Sequence, residues 1–465
     1  MIEKLGKTLT QLFLRYMPNA FVFAILLTLI TALGAFFWME VTPLNIITSW
    51  YDGFFDLLGF AMQIVLIIIT GFSIALSPII KRAIDSLARH IKSPKQVYFI
   101  VVLMGLLFTL VSFGWIVITC VLARELALRV KGVNYPFLTA CVYISCGSWV
   151  AGFSSSIPLL LNTEGNFLIE SGVLADVIPT AYTLGSILNI AMIITLVVAT
   201  PLILVLLRPR NSPNKEISDL MIVKETSDNK TIKEEALSME LPYKAYSDKL
   251  NNSMILQMSI VVMGFVYIVY HFKTKGFDLN FNIMIFIFII IGLLLHRTPI
   301  RYVISMKRAS SNISGILFQY PFYAGIMGIM LYTGLGEKLG LILAAQASVN
   351  TYPFFAYLTG GIVNFAIPSA GGEFAVVGPS IINAVKEMGA GLPAEEVTAM
   401  IARASLSVAY GESLSNLLQP FYLLLVLPIM AAGVKMQARD IMGYLVLPFV
   451  ILFIIQSVLV SFCPL

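Results

Sequence analysis

The chain has 465 residues, of which 58% are hydrophobic and 12% charged, with a mean hydropathy of +0.89 and a formal net charge of +5. Uncharged runs such as 20–39 and 177–207 match or exceed the roughly 20 apolar residues that cross a bilayer, which excludes a soluble globular domain and a disordered chain. Runs of that length are helix-sized, so the chain reads as an all-α polytopic membrane protein.

The first 18 residues place Ile2, Leu5, Leu9, Leu12, Phe13 and Tyr16 at helical spacing beside Lys4, Lys7 and Arg15, the pattern of a helix lying in the interface. No small-residue cleavage site follows the first span, so it reads as retained rather than as a signal peptide. About nine crossings are expected, near residues 19–39, 58–80, 136–163, 178–207, 253–272, 281–296, 313–333, 398–425 and 441–462. Two further apolar segments, 97–123 and 353–385, read as re-entrant helical hairpins that leave on the side they entered. With the N-terminus in the cytoplasm, 25 of the 30 Lys and Arg fall on inner segments and 4 on outer ones, and the C-terminus lies outside. This asymmetry is that of a cytoplasmic (inner) membrane protein and accounts for the basic balance without nucleic acid. Lys273 and Lys275 are the local exception. Cys120, Cys141, Cys146 and Cys463 lack metal-ligand spacing and read as small packing residues.

The polar stretch 208–250, rich in Lys, Glu, Ser and Asn, reads as a cytoplasmic linker. It divides the chain into a first repeat, 1–207, and a second unit, 251–465, made of an additional span and a second repeat. Adding about 259 to the first half carries its spans and its hairpin onto those of the second. The match is one of hydropathy and break positions, with weak residue identity. Four crossings per half plus the span at 253–272 make five between corresponding elements, so the second repeat is inverted, the architecture of secondary transporters.

Four breaks pair by the same offset. The hairpins break at LVSFGW (110–115) and PSAGGEF (368–374); the spans that follow them break at AGFSSSIP (151–158) and AYGESLSN (409–416). Gly and Pro interrupt the helical ladder there, and serine hydroxyls with freed backbone groups supply donors and acceptors that lipid cannot satisfy. Any one break has the alternative of a Pro kink with Ser bonding back to the preceding turn. Four in register point to a site where half-helix ends meet: carbonyl ends suit a cation and amide ends an anion. In NFAIPSAGGEF (364–374), Glu373 starts the helix after Gly371 and Gly372, either as a first-turn acid or as a cation or proton ligand.

FQYPFYAGIMGIM (318–330), NFAIPSAGGEF, AYGESLSNLLQPFY (409–422), LARELALRVKGVNYP (122–136) and GFSSSIPLL (152–160) together resemble the bacterial short-chain fatty acid transporters, the acetoacetate and butyrate permeases. The likeness runs nearly end to end, the linker excepted. That family is similar to the wider group of ion-coupled carboxylate transporters, which implies an elevator-like movement and a small monocarboxylate substrate. A carboxylate needs hydroxyl and amide donors: Ser154, Ser155 and Ser156 with Ser112, Gly114, Asn364, Ser369, Gly371, Gly372 and Asn416 are the candidates. Ser413 and Ser415 compete as donors and, with Glu373 and Glu412, as ligands of a coupling Na+ or H+. No other cofactor or metal is expected. Trp115, Trp149 and Phe374 are candidate walls for the tail, with ordinary packing as the alternative. Arg403, the one cation inside a crossing, is placed to snorkel to the interface. Membrane lipid is the expected environment, and a homodimer is compatible with the pattern.

An intramembrane hydrolase, for which GFSSS offers a serine, lacks a buried His or Asp partner within the spans and an HExxH pair for zinc. A passive carboxylate channel and an ion-coupled dicarboxylate carrier are the other readings. Single cysteines, Ser93→Cys and Gly132→Cys, on a background lacking the four native ones should both be blocked by an impermeant thiol reagent from the cytoplasmic side only. Labelling of the second from outside would mean that 97–123 crosses once.

Overall fold

The structure, a computed structural model, describes residues 20–465 apart from 57, 112, 164–165, 171, 210–214, 223–230, 242, 244, 277–280, 311–313 and 369. The interfacial helix expected within 1–18 lies outside the described residues, as do Ser112 and Ser369. Among the described residues the chain is helical, and the one β feature is an isolated antiparallel bridge between Met221 and Val434. By length and composition five helices can cross a membrane: Phe21–Trp38, Pro94–Val111, Tyr135–Leu161, Ile187–Leu207 and Tyr246–Lys275. Ala394–Leu418 with Leu423–Met430, bent by 45°, makes a sixth. The other spans drawn on the sequence coincide with the helices Leu58–Ala75, Phe281–His296, Ser314–Tyr332 and Val446–Phe462.

Local sequence explains where these helices begin. Asn134 accepts from Phe137 N at 3.0 Å and Pro136 fills a first-turn position whose N–H would be unpaired, so the chain enters a helix at Tyr135. Apolar residues from 178 onward suggest a span starting there, but the helix begins at Ile187, where Ser186 caps Asn189 N at 3.1 Å. Before it lies only the short turn Thr180–Tyr182. Pro201 then withdraws a donor, and the turn before it, Thr195–Ala199, widens to a π-helix.

Several helices fall where the sequence suggests loops: Pro43–Asp56, Pro299–Ser310 and Leu335–Ala345. Each mixes polar and apolar residues around its turns, so a search for unbroken apolar runs passes over it. The linker also holds short helices; Thr231 and Glu234 form a capping box that starts Ile232–Ser238, and Glu235 of that helix pairs with Arg308.

An outer layer is formed by Ala20–Trp38, Pro43–Asp56, Leu58–Ala75, Met254–Lys275, Phe281–His296, Pro299–Ser310 and Ser314–Tyr332, which pack mainly on one another. Its outward face carries large apolar side chains such as Leu29, Phe37 and Ile255, suited to lipid. Lys273 and Lys275 occupy the last turn of Met254–Lys275, where the carbonyl end of a helix favours positive charge.

The inner layer is built twice from the same parts. A helix pair, Pro94–Val111 and Ile116–Arg129, meets at the turn Phe113–Trp115; a second, Tyr352–Val363 and Ala370–Met388, meets around Pro368. The helix after each pair is also interrupted. Tyr135–Ser145 continues as the turn Cys146–Ala151 and resumes at Ser156, while Ala394–Ser415 passes through Asn416–Leu418 and resumes at Leu423. In each half both arms pack on their own interrupted helix, and the second arm also reaches the resumed piece of the other half: Ile116–Arg129 touches Leu423–Met430, and Ala370–Met388 touches Ser156–Leu161. Arg124 donates to Ile429 O at 3.2 Å and Met430 O at 3.3 Å, and Lys386 donates to Val173 O. Each crossed arm thus places a cation on backbone carbonyls beyond the other half's break.

Glycines set the closeness of these arms. A Cβ on Gly360 would fall 2.1 Å from Val408 O, and one on Gly411 1.9 Å from Tyr357 O, so the backbones of Tyr352–Val363 and Ala394–Ser415 touch along this seam. On the neighbouring Gly361 the nearest atom would be 3.5 Å away, an ordinary contact. Gly360→Ala should therefore destabilise by about 1–3 kcal/mol or more through overpacking, while Gly361→Ala stays near wild type; thermal melts in detergent separate the two.

Candidate functional site

The interrupted helix of the second half ends at Ser415 with Asn416 as its C-cap, and the first arm of the second pair ends with Asn364 as its C-cap. These two carbonyl ends lie together and are cross-bonded. Asn364 Nδ2 donates to Glu412 O at 3.0 Å and to Ser415 Oγ at 2.7 Å, and Ser415 Oγ donates to Glu412 O at 3.0 Å. Asn416 Nδ2 donates to Glu412 O and Oε1, both at 3.1 Å, and Gln419 Nε2 donates to Asn364 O at 3.0 Å and Asn416 Oδ1 at 2.9 Å. Tyr422 OH reaches Glu412 Oε1 at 3.4 Å. A backbone carbonyl only accepts, so each of the three amides has its nitrogen fixed toward the protein.

Oxygens are left over. Glu412 Oε2, Asn364 Oδ1, Gln419 Oε1 and both carboxylate oxygens of Glu373 are buried with no hydrogen-bond partner. Glu373 and Glu412 are fully buried and close enough for their charges to interact. Among the described residues no Lys or Arg is paired with them: Arg403 donates to Val460 O at 3.0 Å and to Cys463 O at the end of the last helix, Arg124 to Ile429 O and Met430 O, and Lys386 to Val173 O. A buried carboxylate without a partner is costly, so this cluster is complementary to positive charge.

The break of the first half has the opposite character. Ser154 Oγ accepts from Phe113 N at 3.1 Å, and Phe153 N donates to Leu110 O at 2.8 Å, which ties the interrupted helix to the tip of the first pair. Gly114 is buried in that tip, as is Ser155 beside it, and the Ser155 hydroxyl has no partner. The indole nitrogen of Trp115 is also buried without an acceptor, while that of Trp149 is directed to the Tyr422 hydroxyl. Ser154 and Ser156 are half-buried, as are Gly371 and Gly372 across from them; a Cβ on Gly371 would stand 3.9 Å from Ser156 Cβ. The two breaks therefore abut, with unspent N–H and O–H donors on one side and unspent oxygens on the other. Ser413 Oγ donates to Gly147 O at 3.0 Å, and Tyr143 OH donates to Asn416 O at 2.7 Å and Gln419 O at 2.6 Å, pinning them together.

Of the residues singled out on the sequence, Asn364, Glu412, Ser415 and Asn416 form one network, Glu373 lies beside it, and Ser155, Ser156, Gly371 and Gly372 form the junction. Ser413 is spent on holding the halves. Phe374 is fully buried and Trp149 stacks edge-on to Phe113 at 5.5 Å, so both have packing roles. Sequence reasoning missed Gln419 and Tyr422, and it treated the tryptophans as apolar walls rather than as N–H donors. Gln419 was findable: it lies three residues beyond Asn416 in a tight turn, where side chains three apart eclipse.

Comparison with known proteins follows this geometry. The family model described as short chain fatty acid transporter matches residues 1–463. Two curated relatives carry the provisional name of short-chain fatty acid transporter: one from Haemophilus influenzae, 33% identical over 96% of both chains, and one from Escherichia coli, 35% identical over 96% of both. Among solved structures, the chain is similar to the YdaH transporter of Alcanivorax borkumensis, 18% identical with a TM-score of 0.45 over 97% of each chain. It is also similar to MtrF of Neisseria gonorrhoeae, 14% identical with a TM-score of 0.41 over 99% of this chain and 97% of that one. With its apolar helices and its match along nearly the whole length, the chain belongs to the short-chain fatty acid transporter family and is a multi-pass membrane transporter, not an enzyme.

Proposed function

We propose that the chain is a secondary active transporter that moves short-chain monocarboxylates such as acetoacetate and butyrate across the bacterial cytoplasmic membrane, coupled to Na+ or H+. The observation that carries this reading is the segregation of unspent groups at the junction of the two breaks. Donors from Ser155 and Trp115 suit a carboxylate's chemistry, and oxygens from Glu373, Glu412, Asn364 and Gln419 suit a cation's. An anion and a cation held side by side travel with less buried charge than either alone, which is the physical basis of coupling.

In this reading the two helix pairs are re-entrant hairpins of an inverted repeat, the N-terminus is cytoplasmic and the C-terminus outside. The matching of parts between the halves supports it: in both, the two arms lie against their own interrupted helix and the second arm also reaches the other half. The inner layer then moves as a body against the outer layer, an elevator-type cycle, and a homodimer fixing the outer layers is compatible with it. A monocarboxylate suits the junction better than a dicarboxylate, because every described Lys or Arg near it is already bound to backbone carbonyls.

Reconstituted protein should accumulate labelled butyrate or acetoacetate under an imposed ion gradient, with competition from other short monocarboxylates and little from succinate; strong succinate competition would move the reading to dicarboxylate carriers, and uptake indifferent to the gradient to a channel. Ser155→Ala should raise the half-saturating butyrate concentration by about tenfold, the value of a hydrogen bond to a charged group. In the Glu373→Gln, Glu412→Gln double variant gradient-driven uptake should fall by an order of magnitude, about the effect of one lost charge contact, while exchange between equal ion concentrations persists. Normal coupled uptake in that variant would remove the carboxylates from the coupling role.

A further inference from the structure

The two breaks are built alike but close differently. In the first half Thr109 Oγ1 donates to Ser145 O at 2.8 Å and pairs with Ser148 Oγ at 2.7 Å, and Ser148 Oγ also reaches Leu106 O at 2.7 Å. Thr109 and Ser148 stand where the second half has Asn364 and Ser415, since each links the first arm of a helix pair to the end of the interrupted helix. The hydroxyls of Thr109 and Ser148 are thus spent on the protein itself. In the second half the amide nitrogens are spent, and three oxygens of one bonded network, Glu412 Oε2, Asn364 Oδ1 and Gln419 Oε1, are not.

We propose that Glu412, Asn364 and Gln419 form a monovalent metal-cation site, one per chain, which the first half has no counterpart to. The proposal takes from the transport reading only its purpose, since binding is measurable without transport. Hard cations take oxygen ligands, and here two amide oxygens and one carboxylate oxygen are fully buried, unpartnered and oriented by backbone carbonyls that fix the opposite end of each amide. Two helix C-termini, at Asn364 and Asn416, end beside them and add negative potential, and the nearby Glu373 carboxylate adds more. A proton on Glu412 Oε2 would satisfy one oxygen and leave Asn364 Oδ1 and Gln419 Oε1 without a donor, whereas a metal ion takes oxygens of both kinds as ligands. A single free carboxylate oxygen in the network matches one positive charge. Among the described residues no group of three or more acidic, His or Cys side chains is gathered for a divalent ion.

The test is equilibrium binding of radioactive Na+ to the purified full-length protein in detergent, at fixed pH and ionic strength, without substrate. Saturable binding of one Na+ per chain is expected, with K+ and choline competing at least about tenfold more weakly. Glu412→Gln keeps an acceptor for Asn416 and Tyr422 but turns the free oxygen into a donor, and should weaken Na+ binding by about tenfold or more. Thr109→Val in the first half should leave affinity within about twofold. Absence of saturable Na+ binding, a stoichiometry of two, or equal losses in Glu412→Gln and Thr109→Val would each overturn the proposal, and the wild-type titration decides alone if the Glu412 variant does not fold. Butyrate uptake measured in parallel keeps the two readings apart: Na+ binding without uptake supports this site and counts against the transport assignment.

Discussion

Backbone groups released by a helix break inside a membrane have no water to turn to, so they must bond to one another. The inner layer is organised by that requirement. Leu110 O receives Phe153 N, Ser154 Oγ receives Phe113 N, and Glu412 O receives Asn364 and Asn416. All but the Asn416 bond, which closes its own helix end, join one break to the next. The glycine contacts at Gly152, Gly360 and Gly411 follow from it, because such bonds form only where backbones come within side-chain distance of each other. Packing of the outer layer is a separate matter, governed by lipid-facing apolar surface.

What remains unspent after this bonding defines the site. Breaks satisfied completely would be structural kinks; these are satisfied except for a few atoms of consistent kind. The donors left over are indole and hydroxyl hydrogens on the first half, and the acceptors left over are carboxylate and amide oxygens on the second. A common plan of helices can therefore present two chemistries, because short side chains such as Thr109 close on the backbone while the longer Asn364 and Glu412 reach past it.

Much of the framework was legible in the sequence because it is carried by run length and by Gly and Pro. The long apolar runs and three of the breaks coincide with features of the structure; the fourth, expected at 409–416, falls inside the continuous helix Ala394–Ser415 and the interruption follows it at 416–422, because Gly411 stays helical where the backbone of Tyr352–Val363 comes close. Amphipathic helices such as Pro43–Asp56 were not legible, since their apolar residues are dispersed around the turns. The late start at Ile187 depended on a capping serine within an otherwise uniform run. In the site, residue types pointed to Glu412 and the serines, but which oxygen stays free depends on the direction of each amide, and that is fixed by carbonyls far away in sequence. The offset of about 259 pairs Glu412 with Phe153, whereas the bonds pair it with Ser145: Asn364 reaches Glu412 O as Thr109 reaches Ser145 O.

The crossed arms bear on how the protein is made. Arg124 reaches carbonyls at Ile429 and Met430, and Ser156–Leu161 is covered by Ala370–Met388, so the early half of the chain is completed by pieces synthesised some 200 residues or more later. At a translation rate of about 5–20 residues per second that is an interval of roughly 10–60 seconds. The break at 152–155 does not wait, because Phe153 and Ser154 bond to Leu110 and Phe113, which are already in the chain. Arg124 does wait: a chain halted in that window carries a cation whose carbonyl partners have yet to be made, and lipid offers it none.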